Sequence, residues 1–359
     1  MRPRILLLSA YDADSHRYWH HQLIQHLTEF DWQLLALSNR FFSWRMAANA
    51  LNFQYQYPEE LSQIYDLVVA TSMTDLVSLR GLYPHLSRVP NILYFHENQF
   101  AYPDNPQQQD LATIQLRSLL SSHAADVLIF NSDYNLRTFI QGGSDFLKIM
   151  PDAVPKHFMA QLKRKSQVIP VPLKDDCQPL MNDINRTVGQ PLQVVWNHRW
   201  EHDKGPETLL ELLKLTADLD IQFHILGQRF RQIPQALKEI MVNHSSQCLT
   251  LGYVENRADY LRILQTSDVV LSTAQHDFQG IAMLEAVACG CRAVAPKRLV
   301  YPDLYPTENL YPSTPDSPIQ EATAILRLLL EPSRLKAAPI ECHWSTMQNK
   351  YQQLIQSWL

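Results

Sequence analysis

Two short segments carry residue types suited to phosphate and sugar chemistry. In WNHRWEHDKG, residues 196–205, Arg199 and Lys204 lie five positions apart, between a strand and a helix opening at Pro206. Two fixed cations can clamp a diphosphate and take up the charge it gains as it leaves. The same spacing also fits a solvated loop whose Arg and Lys meet Glu201 and Asp203. In STAQHDFQGIAMLEAVACGCRAVAP, residues 272–296, the pattern reads strand, loop, helix, strand. Asp277 ends the loop, Gly280 opens the helix and Glu285 follows within it. A helix start offers free N–H groups to phosphate oxygens, and glycine permits close backbone approach. Met283, Leu284, Val287 and Ala288 are core positions, and a carboxylate among them needs a partner. Glu285 has room to bond a ribose through its two oxygens, and Asp277 to hold sugar hydroxyls.

A third group lies in the first half. In LYFHENQFAYP, His96, Glu97 and Asn98 directly follow a strand. A histidine there can exchange hydrogen bonds with reacting hydroxyls near neutral pH, although a lone histidine after a strand is more often structural. His16 lies at the exit of the first strand, and His16 and His20 have the i,i+4 spacing of metal ligands without a third ligand in the pattern. The segment RFFSWRMAANALNF interleaves Arg40, Phe41, Phe42, Trp44 and Arg45, an alternation suited to stacking on unpaired bases beside phosphates. It equally suits a loop that packs its aromatics against protein.

These residues need a scaffold that places them after strands. Apolar runs alternate with helical stretches, the pattern of parallel sheets covered on both faces. The expected strands of the first half are Ile5–Leu8, Gln33–Leu37, Leu67–Ala70, Ile92–Phe95 and Val127–Phe130. Its expected helices are Ser15–Leu27, Leu111–Ser122 and Asn135–Gln141, with Ser132 as a cap. The stretch from Lys163 to Gln190 breaks the rhythm and reads as a domain boundary, with Lys163–Arg164–Lys165 a solvated face. Strands resume at Gln193–Trp196, Ile221–Leu226, Cys248–Leu251, Val269–Ser272 and Arg292–Ala295. The assignment is an α/β chain with domains at 1–170 and 171–340, and a helix at 341–359 returning to the first domain. Ligands of such open sheets bind in crevices at the carboxyl ends of strands.

Composition narrows the function classes. The 359 residues are 46% hydrophobic and 19% charged, which suits a folded chain of two domains. A net charge of −5 argues against a generally basic nucleic-acid binder but leaves room for a local patch. Only nine glycines occur, and no GxGxxG or GxxxxGK[ST] loop is present, so phosphate must be held another way. The five cysteines form no CxxC pair, and no apolar run approaches the roughly 20 residues that span a bilayer. MRPRILLLSAYDAD reads as a first strand rather than a secretory leader, and the expected compartment is the cytoplasm.

An Arg-x4-Lys loop followed by an acid-x7-Glu segment resembles the retaining GT-B glycosyltransferases. More narrowly, YFHENQFAYP, WNHRWEHDKGP and STAQHDFQGIAMLEAVACGCRAVAPKRLVYPDLYP resemble the family that includes the tRNA-queuosine α-mannosyltransferases. Blocks of resemblance run from Ile5 to about Pro306. The resemblance implies a GT-B fold, two Rossmann-like domains whose sheets face an interdomain cleft. It implies that Arg199 and Lys204 bind the donor diphosphate, Glu285 the ribose and Asp277 the hexose, with the backbone of Gly280 and Ile281 completing the phosphate site. His96 then joins Asp277, Arg199 and Lys204 in catalysis, and His16 lies beside the donor where the wider superfamily uses a glycine pair. Arg40, Trp44, Arg45, Glu97 and Asn98 fall to the acceptor. The implied reaction moves mannose from GDP-mannose to queuosine in a tRNA anticodon loop, with no metal. The wider family has Glu where Asp277 stands, a carboxylate about 1.5 Å longer. Two rival readings remain: a metal-dependent transferase using the DxD pattern Asp12–Ala13–Asp14, and a binding module for RNA or nucleotide without turnover.

Overall fold

The computed structural model describes residues 2–102, 111–180, 189–228 and 232–359. Pro103 of the FHENQFAYP block and residues 181–188 of the expected boundary lie outside them. The chain divides into two compact units, Met1–Pro172 with Trp344–Leu359, and Leu173–His343.

In the first unit β1 (Arg4–Ser9), β2 (Asp31–Ala36), β3 (Leu67–Thr71), β4 (Asn91–Phe95), β5 (Val127–Phe130) and β6 (Ser166–Val168) form one parallel sheet in the order β2-β1-β3-β4-β5-β6. Continuous apolar runs make this possible, since both faces are covered: the consecutive residues Ile5, Leu6, Leu7 and Leu8 of β1 are all buried. The connection reverses between β1 and β3, so the loops after these strands flank the switch point where ligands bind in open sheets. Ser132 caps the helix Asp133–Lys148 by accepting from Asn135 N at 3.0 Å. That helix runs seven residues past its expected end at Gln141. Gly142 and Gly143 are packing residues rather than a stop, since a Cβ would stand 2.4 Å from Phe100 Cβ at one and 2.5 Å from Met159 Cε at the other.

Two expectations need correction here. The expected boundary from Lys163 begins inside the first unit, with the end of the helix Phe158–Arg164 and the edge strand β6. Three residues, two of them polar, give too little pattern to read as a strand, and pairing with β5 supplies what the pattern lacks. Lys165 is not on a solvated face, because its Nζ donates to His123 O at 2.9 Å and to Ala125 O. RFFSWRMAANALNF is no loop: Phe42–Gln56 is a helix, entered through Phe41 in the left-handed region at φ 57 and irregular at Ala48. Its buried face is Met46, Asn49, Ala50 and Phe53, a helical spacing masked by the aromatic–basic alternation at its start.

The helix Trp344–Gln356 completes the first unit. Trp344 stacks on His26 at 4.7 Å, Trp19 Nε1 donates to Tyr351 Oη at 3.2 Å, and Gln348 Nε2 donates to His26 O at 2.9 Å.

In the second unit β7 (Leu192–Asn197), β8 (Ile221–Leu226), β9 (Cys248–Gly252), β10 (Val269–Leu271), β11 (Arg292–Pro296) and β12 (Leu310–Tyr311) form a parallel sheet in the order β12-β11-β10-β7-β8-β9. Pro206 opens the helix Pro206–Leu215 at its first turn, where its missing N–H costs nothing. The strand β12, two residues long, has no signature of its own. The switch point lies between β7 and β10, the strands that lead into the two chemically suggestive segments.

Trp344 is fully buried, so Trp344→Ala removes a large indole from the first unit's core. The expected loss is about 3–5 kcal/mol in a urea titration of that unit's unfolding. A midpoint equal to that of the unsubstituted protein would rule out this packing role.

Candidate functional site

The loops after β7 and β10 are built against each other. Gly205 has φ +64 and lies so close to the second loop that a Cβ would stand 2.1 Å from Thr273 O. Thr273 Oγ1 donates to Lys204 O at 2.7 Å and accepts from Trp196 Nε1 at 2.9 Å. Gln275 N donates to Asp203 O at 2.8 Å. This lattice turns Lys204 inward, where its Nζ donates to His276 O at 2.6 Å and pairs with Asp203 Oδ2 at 3.1 Å. Burial pushes the Asp203 carboxyl up, but His276 and Lys204 outweigh it and hold Asp203 well below the usual carboxylate range. Arg199 stays half exposed and pairs with Glu201 at 3.1 Å. Both cations therefore meet the acids beside them, but Lys204 is buried rather than solvated as the plainer reading of the loop had it.

Asp277 lies at the start of the helix Ile281–Ala288. Its Oδ1 accepts from Gly280 N at 3.0 Å and its Oδ2 from Tyr301 Oη at 3.1 Å. Burial raises its pKa, but Lys204, His198 and the Gly280 N–H together lower it, so the carboxylate stays charged. Gly280 caps the helix in the left-handed region at φ +69, and a Cβ there would stand 3.2 Å from Tyr301 Cε1. Ile281 is the first helical residue and half-buried. The helix N-terminus and the Lys204 charge thus border one carboxylate.

Glu285 follows one turn later, with its side chain 18% exposed. Its Oε1 pairs with Arg257 Nη1 at 3.2 Å and its Oε2 accepts from Tyr260 Oη at 3.0 Å. Asn197, at the end of β7, donates to the same Tyr260 oxygen at 3.1 Å. The expectation of two oxygens open to a ribose is corrected: each holds a protein partner, and only the remaining lone pairs are available. Sequence reasoning missed Arg257, Tyr260, Tyr301, His198 and His276. Arg257 and Tyr260 sit on the helix Arg257–Thr266, capped by Asn256, and only that cap and their i,i+3 spacing were visible.

In the first unit, the loop after β1 and the segment after β4 converge. His16 Nε2 and Glu97 Oε2 are 3.2 Å apart, and the His16 ring stacks on His96 at 4.2 Å. Trp19 and Tyr94 wall the His96 ring at 5.0 and 4.8 Å. Burial, with His16 and His20 nearby, holds the His96 pKa well below its ordinary value, so the ring is neutral. His20 Nε2 instead meets Asp12 Oδ1 at 2.7 Å, so the two i,i+4 histidines serve different carboxylates. Asp12 also accepts from Arg17 Nε at 3.0 Å, and Asp14 pairs with Arg17 at 3.6 Å.

Two acceptor assignments do not fit this geometry. The Asn98 amide donates to Asn135 Oδ1 at 2.8 Å and Thr138 Oγ1 at 2.9 Å, and its Oδ1 accepts from Phe100 N and Ala101 N. It is a saturated fold residue. Arg45 is buried, donating to Asn52 Oδ1 and to Ser38 Oγ at 3.3 Å, so it does not present a cation to solvent. Helix formation from Phe42 onward turns it inward. Arg40 and Trp44 remain on the surface.

Gly205→Ala should disrupt this centre, because the added methyl collides with the Thr273 carbonyl and the left-handed backbone disfavours alanine. Binding of a nucleoside diphosphate should fall at least about tenfold in calorimetry. Retained affinity would show that the two loops need not touch. A second test uses pH. Burial holds His198 and His224 at a pKa of about 4, whereas an unfolded imidazole titrates near 6.5. Between these values the unfolded chain binds more protons, so stability falls as pH drops. The slope is at most about 1.4 kcal/mol per pH unit for each group. His198→Asn should flatten the profile of urea midpoints between about pH 6.5 and 4. A profile as steep as before would remove His198 from this account.

Comparison with known proteins follows the same division. Residues 4–173 match the family described as tRNA-queuosine alpha-mannosyltransferase N-terminal, and residues 181–338 match glycosyl transferases group 1. A Drosophila melanogaster relative, named tRNA-queuosine alpha-mannosyltransferase, is 35% identical over 318 residues, covering 86% of this chain and 84% of that protein. Sucrose-phosphate synthase from Thermosynechococcus elongatus has a TM-score of 0.68 at 15% identity, covering 99% of this chain and 100% of that one. Anabaena HepE in complex with UDP gives 0.66 at 15% identity, again over 99% and 100% of the two chains. At such identities these two show the fold alone, which is GT-B. Identity across most of both lengths is a stronger statement, and the chain belongs to the tRNA-queuosine alpha-mannosyltransferase family of glycosyltransferases.

Proposed function

We propose that this chain transfers mannose from GDP-mannose to a hydroxyl of queuosine in the anticodon loop of tRNA, in the cytoplasm, with retained anomeric configuration and without a metal. The observation that carries the reading is the 35% identity to an enzyme of that name over 86% of the chain. The guanosine carrier and the retained configuration go beyond that name and rest on the family and GT-B resemblance alone.

In this reading the bond between the mannose anomeric carbon and the diphosphate oxygen breaks, and its electron pair leaves with GDP. The acceptor oxygen forms the new bond on the same face and gives up its proton to the departing phosphate. Negative charge grows on the diphosphate, so its stabilisers act mainly in the transition state. Arg199, Lys204 and the N–H at Ile281 supply that field without a divalent cation, whereas the Gly280 N–H, expected to join them, is taken by Asp277. Asp277 stays ionised beside them and accepts from mannose hydroxyls. Glu285, fixed by Arg257 and Tyr260, accepts from the ribose. Neutral His96 offers one donor and one acceptor to the reacting sugars.

Donor profiling with UDP- and GDP-sugars and queuosine-containing tRNA tests the reaction, and the anomeric proton coupling of the product reports its configuration. Transfer should require GDP-mannose and persist in EDTA; turnover only with another donor, or none at all, would defeat the reading. Glu285→Ala should weaken donor binding by about 1.5–3 kcal/mol, the worth of hydrogen bonds to a charged group. Arg199→Ala should lower kcat by roughly tenfold or more with a smaller change in donor affinity. A drop in affinity alone would make Arg199 a binding residue without a role in leaving-group departure.

A further inference from the structure

A small pocket in the first unit is lined by polar atoms that the fold leaves unpaired. It lies after the carboxyl ends of β3 and β4, where Ser72, Met73 and Thr74 meet Glu97, Asn98 and Gln99, and the helix Leu111–Ala124 forms its other wall. Ile114, Arg117, Ser118 and Ser121 face it because they recur at helical spacing. The enclosed space is about 10 Å³, room for one water-sized group.

Four polar atoms around this space have no hydrogen-bond partner among the described residues: Thr74 Oγ1, Glu97 Oε1, Gln99 Oε1 and Ser121 Oγ. Thr74 and Ser121 are each 1% exposed and Gln99 is 5% exposed. Buried polar groups are nearly always paired, and an orphan is costly. Four around one space are a recognition site for something that brings its own hydrogen bonds. The walls are also held in place. Asn49 accepts from Asp75 N at 2.8 Å and donates to Met73 O at 3.0 Å, which fixes the residue on each side of Thr74. Arg117 Nε lies 3.4 Å from Asp75 Oδ2 and its Nη1 donates to Met46 O. His16 holds Glu97 by the other oxygen.

We propose that this pocket is a hydroxyl subsite that receives one alcohol group of the acceptor, a hydroxyl of the carbocyclic diol that queuosine carries. This rests on the acceptor reading above and adds where that ring is gripped. A hydroxyl donates one hydrogen bond and accepts two. The orphan Glu97 oxygen accepts its proton, and the Thr74 and Ser121 hydroxyls donate to its lone pairs. The Glu97 side chain is 14% exposed while its Oε1 is buried, so this carboxylate borders both the surface and the pocket. An alcohol entering there pairs three of the four atoms, Glu97 Oε1, Thr74 Oγ1 and Ser121 Oγ, whereas an apolar group pairs none. Discrimination of this kind exceeds what a methylene-sized difference gives.

The test uses the double variant Thr74→Val, Ser121→Ala, which keeps the volume of one wall and shrinks the other by a single oxygen. Queuosine nucleoside and guanosine, which carries only the ribose diol, are titrated calorimetrically into the full chain. The unsubstituted protein should bind queuosine at least about tenfold more tightly than guanosine, and the double variant should lose that preference. KM for queuosine-containing tRNA should rise by a similar factor. Melting temperature and GDP affinity report that the variant is folded. A preserved preference for queuosine with an unchanged KM would overturn the inference and mark the pocket as a buried-water site. If the unsubstituted protein prefers queuosine nucleoside but transfers no mannose to queuosine-containing tRNA, the transfer reading fails alone. If transfer is normal and the variant is indifferent, the hydroxyl subsite fails alone.

Discussion

The Lys204 side chain is only 7% exposed, and the loops after β7 and β10 are arranged around it. A buried cation is tolerated only with close partners, and here they are the His276 carbonyl and the Asp203 carboxylate. The His276 carbonyl is reached only because the loops after β7 and β10 touch, which explains the glycine at 205 and the Thr273 hydroxyl between them. The same charge, with burial, keeps His198 neutral and helps keep Asp277 ionised. One cation thus sets the protonation of a neighbouring acid and base. The next turn repeats the logic at lower cost, with Glu285 compensated by Arg257 and Tyr260 rather than left for substrate alone.

The first unit solves the opposite problem. His96 is buried among rings and kept uncharged, so it can offer polarity without a desolvated charge. Glu97 divides its carboxylate, one oxygen to His16 and the other to the pocket.

Much of this was legible because the informative residues are local. Parallel strands buried on both faces give continuous apolar runs, and the residues proposed to hold the donor cluster in two short segments directly after such runs. Legibility ended where structure depends on distant pairing. The strands β6 and β12 are three and two residues long and exist because a neighbour accepts them. Arg45 and Asn98 looked available because polar residues beside a suspected site attract attention, yet their partners Asn52 and Asn135 make them parts of the scaffold. Arg257 lies 28 positions before Glu285 and no spacing rule links them. Thr74 and Ser121 are unremarkable in sequence, and only their shared lack of partners sets them apart.

The helix Trp344–Gln356 belongs to the first unit although the whole second unit separates it from the rest in the chain. On a ribosome, Leu173–His343 emerges in one piece and can fold as soon as it clears the exit tunnel. The earlier segment must wait, since Trp19 and Tyr94 reach Tyr351 only after those last residues are made. Domains generally complete in the order of their synthesis. Here the order is inverted: the unit started first is finished last, and a nascent chain holds an unsealed aromatic surface for the time taken to translate about 170 residues at roughly 5–20 residues per second.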